Sequence, residues 1–154
     1  MLTDSEKKAI DHEAALYPRR DAAAIEALKI VQSGRGWISD ESLNAVAAYL
    51  GMPAAELEGV ATFYNMIYRR PVGRHVIKVC TSVSCMIMDG ESVSGYLFKK
   101  LGIRYGETTG DDRFTLLPNS CLGDCDHAPS LMIDDQHFNK LTPAMLDGIL
   151  ERFA

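Results

Sequence analysis

The stretch from Val79 to Pro129 contains every cysteine of the chain, in two short pairs: Cys80-Thr-Ser-Val-Ser-Cys85 and Cys121-Leu-Gly-Asp-Cys125. Each pair is spaced so that one loop can present two sulfurs to one metal centre. The 35 residues between the pairs suffice for a helix and one or two strands, so the second loop can fold back onto the first. Four thiolates converging from two loops are typical of an iron–sulfur cluster and also of structural zinc.

Other roles for the four cysteines fit their spacing less well. Free cysteine is often buried in a core, but scattered core cysteines would rarely fall into two tight pairs. A thioredoxin-type dithiol needs Cys-x-x-Cys, which neither pair has. A Rieske centre needs two histidine ligands, and only Cys125-Asp-His127 sets a histidine close to a pair. The spacing therefore indicates a metal site made of cysteines alone.

The spacing does not exclude zinc, because zinc knuckles commonly use Cys-x₂-Cys through Cys-x₄-Cys. The composition favours the iron–sulfur cluster. With 47% hydrophobic residues among 154, the chain has ample apolar core and does not need a metal in order to fold. Gly123 and the hydroxyls of the first loop (Thr81, Ser82 and Ser84) suit donation of hydrogen bonds to sulfur, although ordinary turns select the same residue types.

The chain as a whole excludes several classes of protein. Its net charge is −5 and it has no basic stripe, so no nucleic-acid partner is expected. No apolar run approaches the roughly 20 residues of a membrane span, and the N-terminus lacks the apolar segment of a signal peptide. We therefore expect a cytoplasmic chain, where paired cysteines point to metal or redox chemistry rather than to disulfides.

Residues 1–70 are predicted to form a small helical bundle. Thr3-Asp-Ser-Glu6 fits a capping box, and apolar residues then recur at helical spacing in four short segments separated by Pro or Gly. Asp40 is predicted to cap the third helix, and Pro53 suits the first turn of the fourth. Short connections between four amphipathic helices are typical of a bundle.

Residues 71–154 are predicted to form an α/β domain in the order β-α-β, then β-β-α. The strand His75–Val79 delivers Cys80 at its end, and a helix follows near residues 91–101. The remaining predicted elements are a short strand Ile103–Tyr105, strands Phe114–Leu117 and Ser130–Ile133 on either side of the second cysteine pair, and a last helix capped by Thr142. This order is compatible with a thioredoxin-like layer, although periodicity alone does not single out that fold.

The sequence resembles a known family. The motifs that carry the resemblance are Glu58-Gly-Val-Ala-Thr-Phe-Tyr64, Pro71-Val-Gly-Arg-His75, both cysteine pairs and Ala128-Pro129. They look like those of the small ferredoxin subunit (the E subunit) of bacterial NADH:quinone oxidoreductase, respiratory complex I. The resemblance extends from about Ser5 to Phe153, and so includes the helical segment.

This resemblance implies a thioredoxin-like [2Fe-2S] ferredoxin domain preceded by a small N-terminal helical bundle. One [2Fe-2S] cluster would be held by Cys80, Cys85, Cys121 and Cys125. The partner would be the larger subunit that binds FMN and NADH, with neighbouring peripheral-arm subunits against the N-terminal helices. The chain would carry single electrons to or from that FMN in the NADH-oxidising module, peripheral on the cytoplasmic side of the inner membrane.

Two alternatives stay open beside this interpretation. NAD-linked hydrogenases and formate dehydrogenases use a very similar small subunit, and a structural zinc interaction module would use the same four cysteines. One turn departs from the family pattern: Gly110-Asp111-Asp112-Arg113-Phe114 has Asp112 where a glycine is usual. We expect an altered hairpin there, without an effect on the ligands.

Overall fold

The computed structural model describes residues 1–153, which form two compact units. The first is Met1–Pro71 and the second begins at Val72. Position 154, the last of the predicted second domain, lies outside the described residues. In the part of the chain that the structure describes, every helix is too short or too polar to cross a membrane.

The first unit is helical, as the apolar spacing predicts. Its elements are α1 (Asp4–Ala14), a 3₁₀ turn (Arg20–Ala23), α2 (Ala24–Arg35), α3 (Asp40–Leu50) and α4 (Ala54–Phe63). The inward side chains recur every three or four residues, so each helix buries one stripe. The fully buried helical ones include Ile10, Leu28, Val31, Val46 and Leu57, and Ile38 from the loop between α2 and α3 is buried with them. A continuous core of this kind stabilises helices that are individually short.

The helix starts in this unit follow capping chemistry, with two shifts from the prediction. The capping box is present: Glu6 N donates to Thr3 Oγ1 (3.2 Å), and Thr3 N donates to Glu6 Oε2 (2.7 Å). The predicted cap at Asp40 is wrong, because the Ser39 hydroxyl one position earlier accepts the bond from the backbone amide at the third helical position. Pro53 occupies the cap position of α4 rather than its first turn.

The second unit contains a four-stranded sheet covered by helices. Its elements are β1 (His75–Cys80), α5 (Val83–Ile87), α6 (Gly90–Leu101), β2 (Phe114–Asn119), a 3₁₀ turn (Cys125–His127), β3 (Leu131–Ile133), β4 (Gln136–Phe138) and α7 (Pro143–Glu151). The strand order is β2-β1-β3-β4. β1 is parallel to β2 and antiparallel to β3, and β3 and β4 form a hairpin. The predicted order of elements is met with different strands: β2 closes the β-α-β unit in place of the predicted strand at residues 103–105, and β3 and β4 precede the last helix.

Three local features of the second unit differ from the prediction. Residues 103–105 form a turn instead of a strand, because Arg104 N donates to Glu107 Oε2 (2.7 Å) and closes the backbone locally. The sequence does not predict β4, since its three residues carry no apolar alternation long enough to detect. It does not predict the short helix α5 either, because five residues span little more than one helical turn.

The turn at Asp112 keeps a conformation that usually belongs to glycine. Asp112 has φ of +54°, in the left-handed region. Its carbonyl accepts a hydrogen bond from Arg74 N (2.9 Å), and its amide donates to Thr109 O (2.9 Å). Aspartate tolerates this region better than most residues do. Asp112 therefore makes the turn in the left-handed conformation. The turn stays closed although aspartate stands where the family usually has glycine.

Candidate metal centre

The sheet brings the two cysteine pairs to one edge. Cys80 is the last residue of β1, and Cys85 lies in α5 just beyond it. Cys121 follows the end of β2, and Cys125 begins the 3₁₀ turn before β3. Because β1 and β2 are parallel, the chain leaves both strands at the same edge of the sheet. The backbone thus delivers four thiols from two loops to one place.

The two pairs differ in burial. Cys80 and Cys85 are buried, whereas Cys121 and Cys125 are exposed. Sγ of Cys121 lies 3.6 Å from Sγ of Cys125. Two thiolates on one tetrahedral metal ion, each about 2.3 Å from the metal, are about 3.8 Å apart. The second pair therefore already has the separation that a shared metal ion requires.

Hydrogen-bond donors approach the sulfurs of both pairs. Gly123 N donates to Sγ of Cys121 (3.3 Å), and the positive φ of Gly123 (+80°) turns that amide toward the sulfur. In the buried pair, the Ser130 hydroxyl lies 3.7 Å from Sγ of Cys85. Donors of this kind stabilise negative charge on a ligand sulfur. The sequence predicts this role for Gly123 but not for Ser130, which is remote in sequence from its cysteine.

Within each pair, one thiol influences the pKa of the other. Burial acts to raise the pKa of Cys80, but hydrogen bonds from the Ser82 backbone and the Cys85 side chain outweigh it, so the net pKa is lowered. The pKa of Cys85 is raised by burial and by Cys80. The pKa of Cys125 is raised by its hydrogen bond to Cys121 and by charge on that sulfur.

Asp124, beside the exposed pair, is held by the protein. Its carboxylate accepts a hydrogen bond from Asn139 Nδ2 (2.8 Å) and lies 2.7 Å from His127 Nδ1. These contacts, that of Asn139 first, lower the pKa of Asp124. Asp126 instead has 79% of its side chain exposed. Asp124 therefore anchors the second cysteine loop to the segment that follows β4.

A second group of metal-ligating side chains lies beside the exposed pair. Among residues 1–153, the trio of candidate ligand atoms found within 4.8 Å of one another is Asp124, Asp126 and His127. That trio is explained by the anchoring contacts of Asp124.

Gly90 is a site residue that the sequence does not reveal. A Cβ at this position would lie 2.6 Å from the carbonyl oxygen of Cys85. The first turn of α6 therefore packs directly on the backbone of the first cysteine loop. A glycine at the start of a helix is common for several reasons, so only the packing could have identified this one.

The fold and the two pairs of thiols at the sheet edge fit the class of iron–sulfur proteins, and the comparison with known families shows that class. The family model of the thioredoxin-like [2Fe-2S] ferredoxins matches residues 10–154. The chain belongs to this family and, within it, to the group formed by the E subunits of NADH-quinone oxidoreductase.

The relatives in this group match almost the full length of the chain. The NADH-quinone oxidoreductase E subunits of Escherichia coli K12 and Pseudomonas aeruginosa are each 51% identical to it, over 99% of this chain and 92% of theirs. A solved structure of an NAD⁺-reducing [NiFe]-hydrogenase in the air-oxidised state matches with a TM-score of 0.71 and 22% identity, over 85% of this chain and 22% of that one. The hydrogenase likeness shows a shared fold.

Proposed function

We propose that the chain is the one-electron carrier of the NADH-oxidising module of an NADH-quinone oxidoreductase. The observation that carries this proposal is the delivery of four thiols, as two pairs, to one sheet edge in a member of the E-subunit group. The ligands would be Cys80 and Cys85 from the first loop and Cys121 and Cys125 from the second.

Each cysteine pair is suited to one iron. The 3.6 Å between the sulfurs of Cys121 and Cys125 supports their binding to the same ion. Cys80 and Cys85 would hold the second ion on the buried side, where few water molecules reach the sulfurs. When bound, a [2Fe-2S] cluster accepts and releases one electron at a time.

The protein's own groups would stabilise the charge on the sulfurs. The Gly123 amide and the Ser130 hydroxyl supply donors to one sulfur of each pair. Both cysteines of the second pair are exposed, which gives a partner's cofactor an edge to approach. We infer that electrons pass through this edge, since the first pair is covered by protein.

The remaining components belong to the assembly. We propose that NADH and FMN bind to a partner subunit and that this chain exchanges electrons with that FMN. Neighbouring peripheral-arm subunits would cover the helices of the first unit, and the complex would place the chain on the cytoplasmic side of the inner membrane. The 51% identity to the E subunits over 92% of their length supports this assembly over that of an NAD-linked hydrogenase or formate dehydrogenase.

The test is reduction by NADH. The full-length chain, loaded with its cluster, is mixed anaerobically with the FMN- and NADH-binding subunit, and its EPR spectrum is recorded after addition of NADH. The proposal predicts a new S = 1/2 signal that needs both proteins and NADH. The Cys121→Ser variant is the matched control, and its signal is expected to be lost or severely altered. A loaded chain that dithionite reduces but NADH with the flavoprotein does not would contradict the proposed role.

A further inference from the structure

A cavity of about 320 Å³ opens beside Cys80. Ser94 and Phe98 of α6 line one side, and Tyr105, from the turn after that helix, lines another. Tyr105 is half-buried. A tyrosine and a proposed ligand cysteine therefore line the same open cavity.

The protein fixes the position of Tyr105. Its ring packs edge-to-face on Phe98, with centroids 4.9 Å apart and an interplanar angle of 82°. Its hydroxyl oxygen lies 2.8 Å from Oγ of Ser94. An edge-to-face contact and a hydrogen bond at opposite ends of one side chain leave it little freedom to turn.

The direction of this hydrogen bond follows from a second contact. The Ser94 hydroxyl donates to the carbonyl oxygen of Gly90 (3.1 Å). A serine hydroxyl carries a single proton, so Ser94 acts as the acceptor toward Tyr105. The phenol proton is thus directed at Ser94. The phenol oxygen, the negative end of the O–H bond, is left without a proton of its own on its other sides, and Cys80 lines the same cavity as Tyr105.

We propose that Tyr105, oriented by Ser94, lowers the reduction potential of the cluster by turning the negative end of its hydroxyl dipole toward the Cys80 side. This inference rests on the proposed function, since it assumes a cluster bound through Cys80. An added electron increases the negative charge on the cluster and its sulfurs. A fixed partial negative charge nearby makes that addition less favourable.

The pKa of Tyr105 is consistent with this proximity. Burial raises the pKa of Tyr105, the Ser94 hydrogen bond partly offsets the rise, and negative charge on Cys80 adds to it. This direction agrees with the position of both side chains on one cavity. Because the interaction is mutual, a dipole at the phenol is also felt at the sulfur.

The test is the midpoint potential of the full-length chain with its cluster, from an EPR-monitored redox titration. Tyr105→Phe removes the hydroxyl and keeps the ring on Phe98. We expect its reduction equilibrium constant to rise at least threefold, which is about 28 mV upward at 59 mV per tenfold. Ser94→Ala leaves the phenol proton free to turn toward the cavity, and we expect an upward shift at least as large.

Tyr96→Phe is the matched control. Tyr96 lies on α6 as well, and its hydroxyl is hydrogen-bonded to Asp147. It is not one of the residues that line this cavity in the described chain. We expect the reduction equilibrium constant of the Tyr96→Phe variant to change by less than threefold. Circular dichroism melting of all three variants checks that the fold is retained.

A downward shift in Tyr105→Phe, or a shift no larger than that of Tyr96→Phe, would overturn the inference. If Tyr105→Phe loses its cluster, Ser94→Ala decides by the same criterion. The outcomes that overturn this inference differ from the outcome that would contradict the proposed function. Absence of a [2Fe-2S] signal in the unmodified chain would contradict the function itself, whereas an unmoved potential in a loaded variant contradicts the role of Tyr105 alone.

Discussion

The backbone amide of Gly123 donates a hydrogen bond to Sγ of Cys121 over 3.3 Å, and a positive φ of +80° at the glycine makes this possible. A β-carbon at Gly123 meets no atom within 4 Å, so the backbone conformation is the reason for the glycine. The geometry of the second cysteine loop therefore depends on a residue that contributes no side chain.

Gly123→Ala tests this dependence. Alanine in the left-handed conformation costs about 1 kcal/mol. We expect the backbone to relax out of this conformation and to turn the amide at position 123 away from the Cys121 sulfur. We expect the variant's cluster to be lost several-fold faster to an iron chelator, followed by the decay of visible absorbance. Gly36→Ala is the matched control, because Gly36 has the same φ of +80° and open space around it but lies in the first unit. Equal rates of loss in both variants would contradict the role of Gly123.

Ser130→Ala removes the hydroxyl beside Cys85. Ser130 is buried, and its donor would otherwise stabilise the more negative, reduced centre. A hydrogen bond with a net value of about 1 kcal/mol corresponds to a fall of about 40 mV in midpoint potential. A redox titration of the loaded chain measures it, and Ser130→Thr, which keeps the hydroxyl, is expected to restore most of the change. A potential that rises in Ser130→Ala would show that the hydroxyl is not a donor to sulfur.

Glu6→Gln makes the stability of the first unit less dependent on pH. Glu6 accepts hydrogen bonds from Arg35 at 2.9 and 2.8 Å, and these lower its pKa, against a smaller opposing effect of burial. A lowered folded-state pKa means that the stabilisation is complete above the unfolded-state pKa and is lost as pH falls through the folded-state value. We expect the variant to lose about 2 kcal/mol at pH 7 in urea unfolding, and less at pH 3. A loss that is the same at both pH values would rule out this ion pair as the cause.

Asp112→Gly is expected to stabilise the second unit. A non-glycine residue at φ of +54° bears a conformational cost that glycine does not bear. Glycine loses more backbone entropy on folding, so the expected net gain in stability is about 0.5 to 1 kcal/mol. Thermal unfolding of the apoprotein measures the gain. Asp112→Ala is the matched comparison and is expected to lower the melting temperature. A destabilised glycine variant would mean that the Asp112 side chain has a role beyond its backbone.

Local sequence patterns predict the parts of the fold that depend on neighbouring residues. The capping box at Thr3 and the strand that ends in Cys80 follow from spacing within a few residues. The donors and contacts made across the fold could not be found in this way. Ser130 and Gly90 matter because the sheet and α6 bring them to Cys85, and no local pattern distinguishes them from ordinary turn residues.

The burial of the pairs is a second feature beyond local patterns. Both pairs have similar spacing and similar turn formers, yet one is covered and the other is exposed. The difference arises because Cys80 ends a central strand, whereas Cys121 and Cys125 lie in a loop beyond an edge strand. Position in the sheet, set by long-range pairing, decides which sulfurs meet solvent.

The measurement that tests the central claim most directly is an anaerobic visible and EPR spectrum of the purified full-length chain, before and after dithionite, with iron and sulfide analysis. A [2Fe-2S] cluster on the four cysteines would give a red-brown protein with about two irons and two sulfides per chain, and a rhombic S = 1/2 signal on reduction. In Cys121→Ser, this signal is expected to be lost or severely altered while the helical circular dichroism of the first unit persists. A colourless protein with stoichiometric zinc, or a normal cluster spectrum in Cys121→Ser, would contradict the assignment.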